Sequence, residues 1–271
     1  MLKHFLVFLL PNLLFCQLEV TEIELPKILR ETSALEYYSG NFITLNDSGG
    51  EAKLYSFNSA GDILNEYKIH GTVNRDWEDL SADDNHYYIS DTGNNYATRK
   101  DLTIYILDQS LVLMDSIQIN YKNQNKFEKK KRNRYDAEAL ASVDSLLLLF
   151  SKDRKKLSTQ VYLIPKIPGN YSLEPVAEFH VESLITAADF DQNSKTLALT
   201  SYTKDGSQYF FRSLNFELQN IKNLKFEKLL IPVTSAQIEA VKVRDSQTFW
   251  LTSENEGTGF PRLFKVCLDD F

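Results

Sequence analysis

Glu78, Glu138 and Glu239 each stand two residues before an apolar anchor, in the segments DWEDL (Asp76 to Leu80), DAEAL (Asp136 to Leu140) and QIEAV (Gln237 to Val241). ETSAL, from Glu31, and TAADF, from Thr186, are variants of the same phrase. A carboxylate that recurs at one position of a repeat is carried to one place in space, where it has two chemical uses. A single carboxylate can take a proton from water as a general base. Several together can share a hard cation through oxygen ligands, Ca²⁺ before Mg²⁺. Glu78, Glu138 and Glu239 are the candidates for the first role, and Glu31, Asn46, Asp76, Asp136 and Asp189 for the second. The same acids could instead cap inner strands by accepting backbone N–H bonds, and that reading stands beside the chemical ones.

Each phrase is answered about ten residues later by a strongly β-forming run: NFITLND, HYYISDT, LLLLFSK, TLALTSY and TFWLTSE. The anchors Leu35, Leu80, Leu140, Phe190 and Val241 lie 45, 60, 50 and 51 residues apart. A period of this size, filled with short strands, is that of a propeller blade. Alternation of apolar and polar residues divides four of the units into four strands each, with turn signals such as SG, DSGG and SAGD between them. The fifth unit offers three. LEVTEIEL, which precedes the first repeat, supplies the missing outer strand. The expectation is an all-β, five-bladed β-propeller of about twenty strands, its ring closed by the N-terminal strand pairing into the last blade. A six-bladed ring is the fallback, but the long interval between Leu80 and Leu140 holds KNQNKFEKKKRNR, which reads as a solvated loop.

In such a ring the start of each innermost strand and the end of the second meet at one opening. Strand ends add Asn46, Asp47, Asp91, Lys152, Tyr202 and Glu254 to the acids already named. The loop DTGNNYATRKDL, from Asp91 to Leu102, adds Asn94, Asn95 and Arg99. Asp91, Asn94, Asn95, Arg99, Lys152 and Glu254 are the ligand-binding candidates, with Arg99 offering a bidentate grip on a carboxylate or phosphate. The plainer reading is an Asx-turn loop in which Arg99 pairs with a neighbouring acid. Many ionised acids in a dry channel would repel, so protons, a cation or Lys152 must compensate. The basic run from Lys126 to Arg134 overhangs the same face, either as a solvated loop or as a lure for an anionic substrate.

With 271 residues, 43% hydrophobic and 12% aromatic, the chain can bury a large core. A formal net charge of −7 argues against nucleic acid or an anionic membrane as main partner. Lys3 and His4 precede FLVFLLPNLLF, the short apolar core of a secretory signal and too short to span a bilayer. The division expected is a signal peptide over 1–17 and a single propeller over 18–271, secreted or periplasmic, monomeric, with no transmembrane segment. A lipid anchor at Cys16 is the lesser alternative, because Phe15 is bulky where a small residue is usual. Cys267 is then left alone and no disulfide forms. The four histidines are scattered outside the repeat position, which disfavours zinc.

The succession ETSAL, LNDSGG, DWEDL with SDTGNN, DAEAL and QIEAV resembles secreted bacterial propellers of the SdiA-regulated kind. It is also similar to the esterase-like, phytase-like group, in which D-x-E-G-[LI] openings recur. The resemblance implies a secreted propeller, calcium binding and a presumed hydrolase activity. The chain departs from the pattern at Ala34, Asp79 and Ala139, where glycine is common, and in the DF at Asp189. By type, Glu31, Asn46, Asn94 and Glu239 could imitate the calcium set of gluconolactonase-type propellers. Nothing resembles a nucleophile elbow, a Cys–His pair, a phosphate loop or an HExxH zinc site. Two readings stay open: a calcium-dependent hydrolase of a small ester, lactone or phosphoester, and a non-catalytic ligand- or protein-binding propeller with a structural metal.

Overall fold

Leu147, Leu148, Leu149 and Phe150 form a continuous apolar run, and its placement explains the architecture. Successive side chains of a strand point to opposite faces. Leu147 and Leu149 pack toward the preceding sheet, with Ile104 and Ile117, whereas Leu148 and Phe150 pack toward the next, with Leu197 and Phe211. A sheet covered on both faces reads as unbroken hydrophobicity rather than alternation. Repeated around a circle, sheets of this kind make a propeller.

The computed structural model describes residues 17–47, 49–255 and 259–269 and forms a five-bladed β-propeller. The chain enters through β1 (Gln17–Glu24). Blade one holds β2 (Glu36–Tyr38), β3 (Asn41–Leu45), β4 (Lys53–Phe57) and β5 (Ile63–Lys68). Blade two holds β6 (Asp79–Ala82), β7 (His86–Asp91), β8 (Leu102–Asp108) and β9 (Leu113–Tyr121). Blade three consists of β10 (Ala137–Val143), β11 (Leu146–Ser151) and β12 (Ser158–Pro165), then, after β13 (Gly169–Leu173), β14 (Ala177–His180). Blade four is β15 (Leu184–Asp191), β16 (Thr196–Tyr202), β17 (Gln208–Ser213) and β18 (Glu227–Ile231). Blade five is β19 (Ile238–Val243), β20 (Thr248–Ser253) and β21 (Arg262–Asp269), completed by β1.

Ring closure follows the expectation. β1 runs antiparallel to β21 from Gln17 opposite Asp269 to Glu24 opposite Arg262. β13 is an addition to the expected count: it leaves blade three and joins the outer edge of blade two, parallel to β9, with Gly169 opposite Ile117. That covers a strand edge that would otherwise be open to pairing with another chain.

The core is divided among the blade interfaces. Trp77, fully buried, lies between blades one and two with Ile43 and Leu45, and its indole N–H donates to Val73 O at 3.0 Å. Phe210 and Phe249 meet between blades four and five at 4.5 Å between ring centres. Leu35, Phe42 and Phe57 pack against Ala240 and Leu263, which joins blade five back to blade one. Of the expected signal segment, residues 1–16, Cys16 among them, lie outside the described residues, whereas Gln17 already begins β1, and Cys267 is a free cysteine.

β1 completes the blade that closes the ring, alongside the packing of Leu35 and Phe42 on Ala240 and Leu263. A variant lacking residues 17–24 should melt well below the full propeller and self-associate through the bared edge of β21. Calorimetry with size-exclusion chromatography tests this, and an unchanged melting temperature in a monodisperse sample would refute it.

Candidate functional site

At one mouth of the channel, four backbone bonds define a tier. The N–H groups of Asp47, Gly93, Lys152 and Glu254 donate to the carbonyls of Glu31, Asp76, Asp136 and Gln237 at 2.7 to 3.2 Å. One step further in, β-bulges interrupt the first strands of blades three and five at Glu138 and Glu239. Bulges re-aim side chains next to functional sites. Glu78 holds the corresponding place in blade two, its N–H donating to Ser90 O at 2.8 Å.

Blade four is registered differently from the sequence expectation. Leu184 pairs with Tyr202 and Ile185 with Ser201, and the bulge falls at Thr186. Leu184 therefore takes the place of Asp136, and Thr186 that of Glu138. Asp189, expected among the acids of the mouth, is carried two residues deeper, roughly 7 Å along the strand. A slip of two keeps the same face, so Asp189 still lines the channel but near its other end. There Asp189 Oδ1 lies 3.1 Å from Lys242 Nζ, and Oδ2 accepts from Val243 N at 2.7 Å. Lys242 also pairs with Glu36. Burial, partly offset by Lys242, pushes Glu36 up to about 7.

The mouth itself brings together Asp76, Glu78, Asp136, Glu138, Glu239 and Glu254. Carboxylate oxygens of Glu78, Asp136 and Glu138 all lie within 4.8 Å of one another, and all three residues are buried. Gly93 closes on this group from the loop after β7. A Cβ there would stand 1.9 Å from Glu78 Oε1 and 2.4 Å from Asp76 Oδ2, so only glycine allows the backbone so near. Asn94 N donates to Asp136 Oδ1 at 2.7 Å, while the buried Asn94 Nδ2 has no hydrogen-bond partner.

Cations answer one side of the cluster. Lys152 Nζ pairs with Glu138 and lies 5.0 Å from the Tyr202 ring centre. Arg154, which the sequence reading overlooked, bridges Asp136 Oδ2 at 3.0 Å, Glu138 Oε1 at 3.1 Å and Asn95 Oδ1 at 2.6 Å. Its signal was available as a second cation two residues beyond Lys152 in SKDRKK. Burial pulls Lys152 down, but Glu138 and Glu239 outweigh it and hold the ammonium above its ordinary range. Glu78 has no cation on it among the described residues. Burial, then the charge of Glu138, raises it well above a normal carboxylate, and burial raises Glu138 too, against the pull of Lys152.

Asp76 and Glu254 titrate high for the same reason. Burial, then Asp47 and Asp136, takes Asp76 to about 7. Burial, then Glu239, takes Glu254 to about 9. Gln237 Nε2 joins these last two, donating to Glu239 Oε1 and, at 3.3 Å, to Glu254 Oε2.

Other candidates lie apart or are occupied. Glu31 is half exposed beside Arg30. Asn46 turns to the short helix at Lys27–Leu29 and donates to Ile28 O at 2.7 Å. Arg99 is spent on its own loop: it pairs with Asp91 at 2.9 Å and Asp101 at 3.3 Å, and donates to Gly93 O at 2.8 Å. Asp91 also accepts from Asp76 N at 3.1 Å. Asp79 and Asp189 serve as strand caps, Asp79 accepting from Leu140 N at 2.8 Å and Ala188 N at 3.4 Å across the blades.

The fold and site thus define a β-propeller with a buried acidic cluster at one channel mouth. No family model matches the chain, and no curated protein matches it. Among solved structures it is similar to a glucose dehydrogenase, at 9% identity over 90% of this chain and 98% of that one, with a TM-score of 0.50. A Bacteroides fragilis NCTC 9343 protein presumed to be exported matches at 8% identity over 93% and 96%, with a TM-score of 0.45. A chain of the mitotic checkpoint complex matches at 10% over 88% and 78%, with a TM-score of 0.47. At such identities the likeness is one of fold. Among the described residues no helix is long and apolar enough to cross a membrane.

Two outcomes follow. Gly93→Ala should cost about 1–3 kcal/mol by overpacking, and less in a Glu78→Ala background, where the nearer of the two obstructing carboxylates is gone. A double-mutant cycle in urea reads that coupling. The raised acids also set a pH dependence. The native state keeps protons on Asp76 and Glu254 that an unfolded chain releases near pH 4. Stability should therefore fall as pH rises from about 4 toward 7 for Asp76 and toward 9 for Glu254, by up to about 1.4 kcal/mol per pH unit for each retained proton. Urea melts between pH 5 and 9 measure it, and a curve rising with pH would exclude the assignment.

Proposed function

We propose that this propeller binds a divalent cation, Ca²⁺ first, at the acidic mouth and hydrolyses a small ester, lactone or phosphoester there. The single observation behind this reading is the cluster of Glu78, Asp136 and Glu138. Ca²⁺ binds oxygens at roughly 2.4 Å, so two ligands of one ion stand at most about 4.8 Å apart. The cluster meets that limit, and the close backbone of Gly93 leaves Asp76 beside it. Carboxylates that hold protons because of mutual repulsion and burial are also those that a cation would recharge.

Glu78, Asp136 and Glu138 would hold the ion, with Asp76 at its side. A bound divalent cation polarises a substrate oxygen and offsets charge developing on it. The chain's own residues supply the rest. Lys152 and Arg154 face the same space and can hold an anionic oxygen of the substrate. Glu239 is the general base, and Glu254, linked to it through Gln237, is the neighbouring acid that keeps its proton near neutrality. Burial raises both carboxyls, and Lys152 beside Glu239 favours the charged form that a base needs. The resemblance to SdiA-regulated and phytase-like propellers supports an exported hydrolase of this type, in the periplasm or outside the cell.

A non-catalytic reading is favoured by one specific feature. Arg154 and Lys152 already neutralise Asp136 and Glu138. A ligand-binding propeller whose metal only stiffens the mouth would need nothing more.

Calcium at one hundred times its dissociation constant should add about 2.7 kcal/mol of stability. The gain should be largest above pH 7 and vanish in Glu78→Gln and on chelation. Titration calorimetry and melting curves report it. Turnover on an ester, lactone and phosphoester panel should fall at least tenfold in Glu239→Gln with the melting temperature kept. Calcium binding without turnover on any substrate would favour the binder, and no calcium effect on wild type would end the metal reading.

A further inference from the structure

We propose that a basic groove on the rim between blades two and three binds an acidic polysaccharide, one carrying uronate or sulfate groups. The groove consists of two adjoining cavities, of about 310 and 480 Å³, which share Lys130 and Tyr135. Arg132, Arg134, Lys155 and Lys156 line the first, and Lys126 and Lys129 the second. Asp153 and Glu128 are the acids in the lining. On a chain of net charge −7 this is a concentrated reversal of sign. Within a Debye length of roughly 10 Å it presents a positive field to any ligand.

The cations are available. Among the described residues the side chains of Lys130, Lys131, Arg132 and Lys155 have no ion-pair or hydrogen-bond partner, and all four are exposed. The loop that carries them is nevertheless built in place. Asn133, buried, donates through Nδ2 to Asn95 O and Lys130 O, each at 3.0 Å, and accepts from Tyr135 N at 2.7 Å. Lys130 N donates to Tyr96 O at 2.8 Å, and Gln124 Nε2 to Ala97 O at 2.8 Å. A prearranged row of charges loses less entropy on binding than a loose one.

The lining selects the class of polyanion. Single-stranded nucleic acid is gripped by bases stacking on free aromatic faces. Here Lys129 covers Tyr96 at 4.4 Å, Lys100 covers Phe127 at 4.8 Å and Arg134 covers Tyr135 at 5.6 Å. A flat anionic bilayer would not reach charges set around a concavity. Asn123 and Asn125, exposed in the second cavity, offer amides for sugar hydroxyls, and the guanidinium of Arg132 suits a carboxylate or sulfate. Two cavities joined at Lys130 and Tyr135 offer room for several linked residues of a chain rather than a single ion.

The groove borders the channel cluster but shares no lining residue with its acids and requires no metal, so the two fail separately. Polygalacturonate oligomers, neutral dextran, a dT oligonucleotide of matched charge and anionic phospholipid vesicles are the probes, read by titration calorimetry at several salt concentrations. Expected are saturable binding of the uronate, weakening with salt, and no binding of dextran. The triple variant K130E/R132E/K155E should lose roughly tenfold or more in affinity with an unchanged melting temperature, and Glu78→Gln should bind as wild type. Dextran binding equal to the uronate, tighter binding of the oligonucleotide or vesicles, or full affinity in the triple variant would overturn the proposal.

Discussion

The pairing of β1 with β21 is the contact on which the rest depends. The first and last strands of the chain complete one blade, so the outermost hydrogen bonds of that sheet bring sequence ends together. Blades one and five can then pack through Leu35, Phe42, Ala240 and Leu263. Without that contact the sheets would form a fan with two bare ends and no central channel. Everything placed on the axis inherits its position from this closure.

What closure creates is an electrostatic problem. First strands running side by side around an axis put equivalent residues closer together than any surface would. The chain resolves the problem in two ways along the channel. Toward one end, Lys242 pairs with both Glu36 and Asp189, and Asp189 caps a backbone N–H. At the other, Lys152 and Arg154 answer Glu138 and Asp136, but burial raises Glu78 well above a normal carboxylate, Asp76 to about 7 and Glu254 to about 9. Two acids bridged by one part-buried lysine form a structural strut. A set left short of positive charge is where a cation or a polar ligand gains most.

The loop after β7 supports that imbalance. Arg99 locks the loop by gripping Asp91, Asp101 and the Gly93 carbonyl, which presses the Gly93 backbone against Glu78 and Asp76. The loop that begins at Lys126 is fastened to this one through Asn133, and its charges point outward from the rim. Opposite electrostatic characters thus sit side by side on one face, separated by Arg154.

Much of this was legible in the residues. The repeat of a glutamate two positions before an apolar anchor put Glu78, Glu138 and Glu239 at equivalent places of their blades, because blade geometry repeats with the phrase. The surplus strand at the N-terminus revealed the closure, since an unpaired strand pattern needs a partner. Blade four was misjudged because TAADF matches the phrase by residue type, whereas its true register follows the bulge at Thr186. A two-residue slip preserves the inward face, so hydrophobic alternation gave no warning. β13 was missed because its pairing crosses from one blade to another. Sequence by itself determined the blades and their number, which follow from local periodicity, but among the acids it included Glu31, which lies apart, and passed over Glu36. Which acids meet, which are neutralised by Arg154 and Lys242, and which keep a proton were decided only by tertiary structure. Those properties depend on distances of a few ångströms between strands that are far apart in the chain.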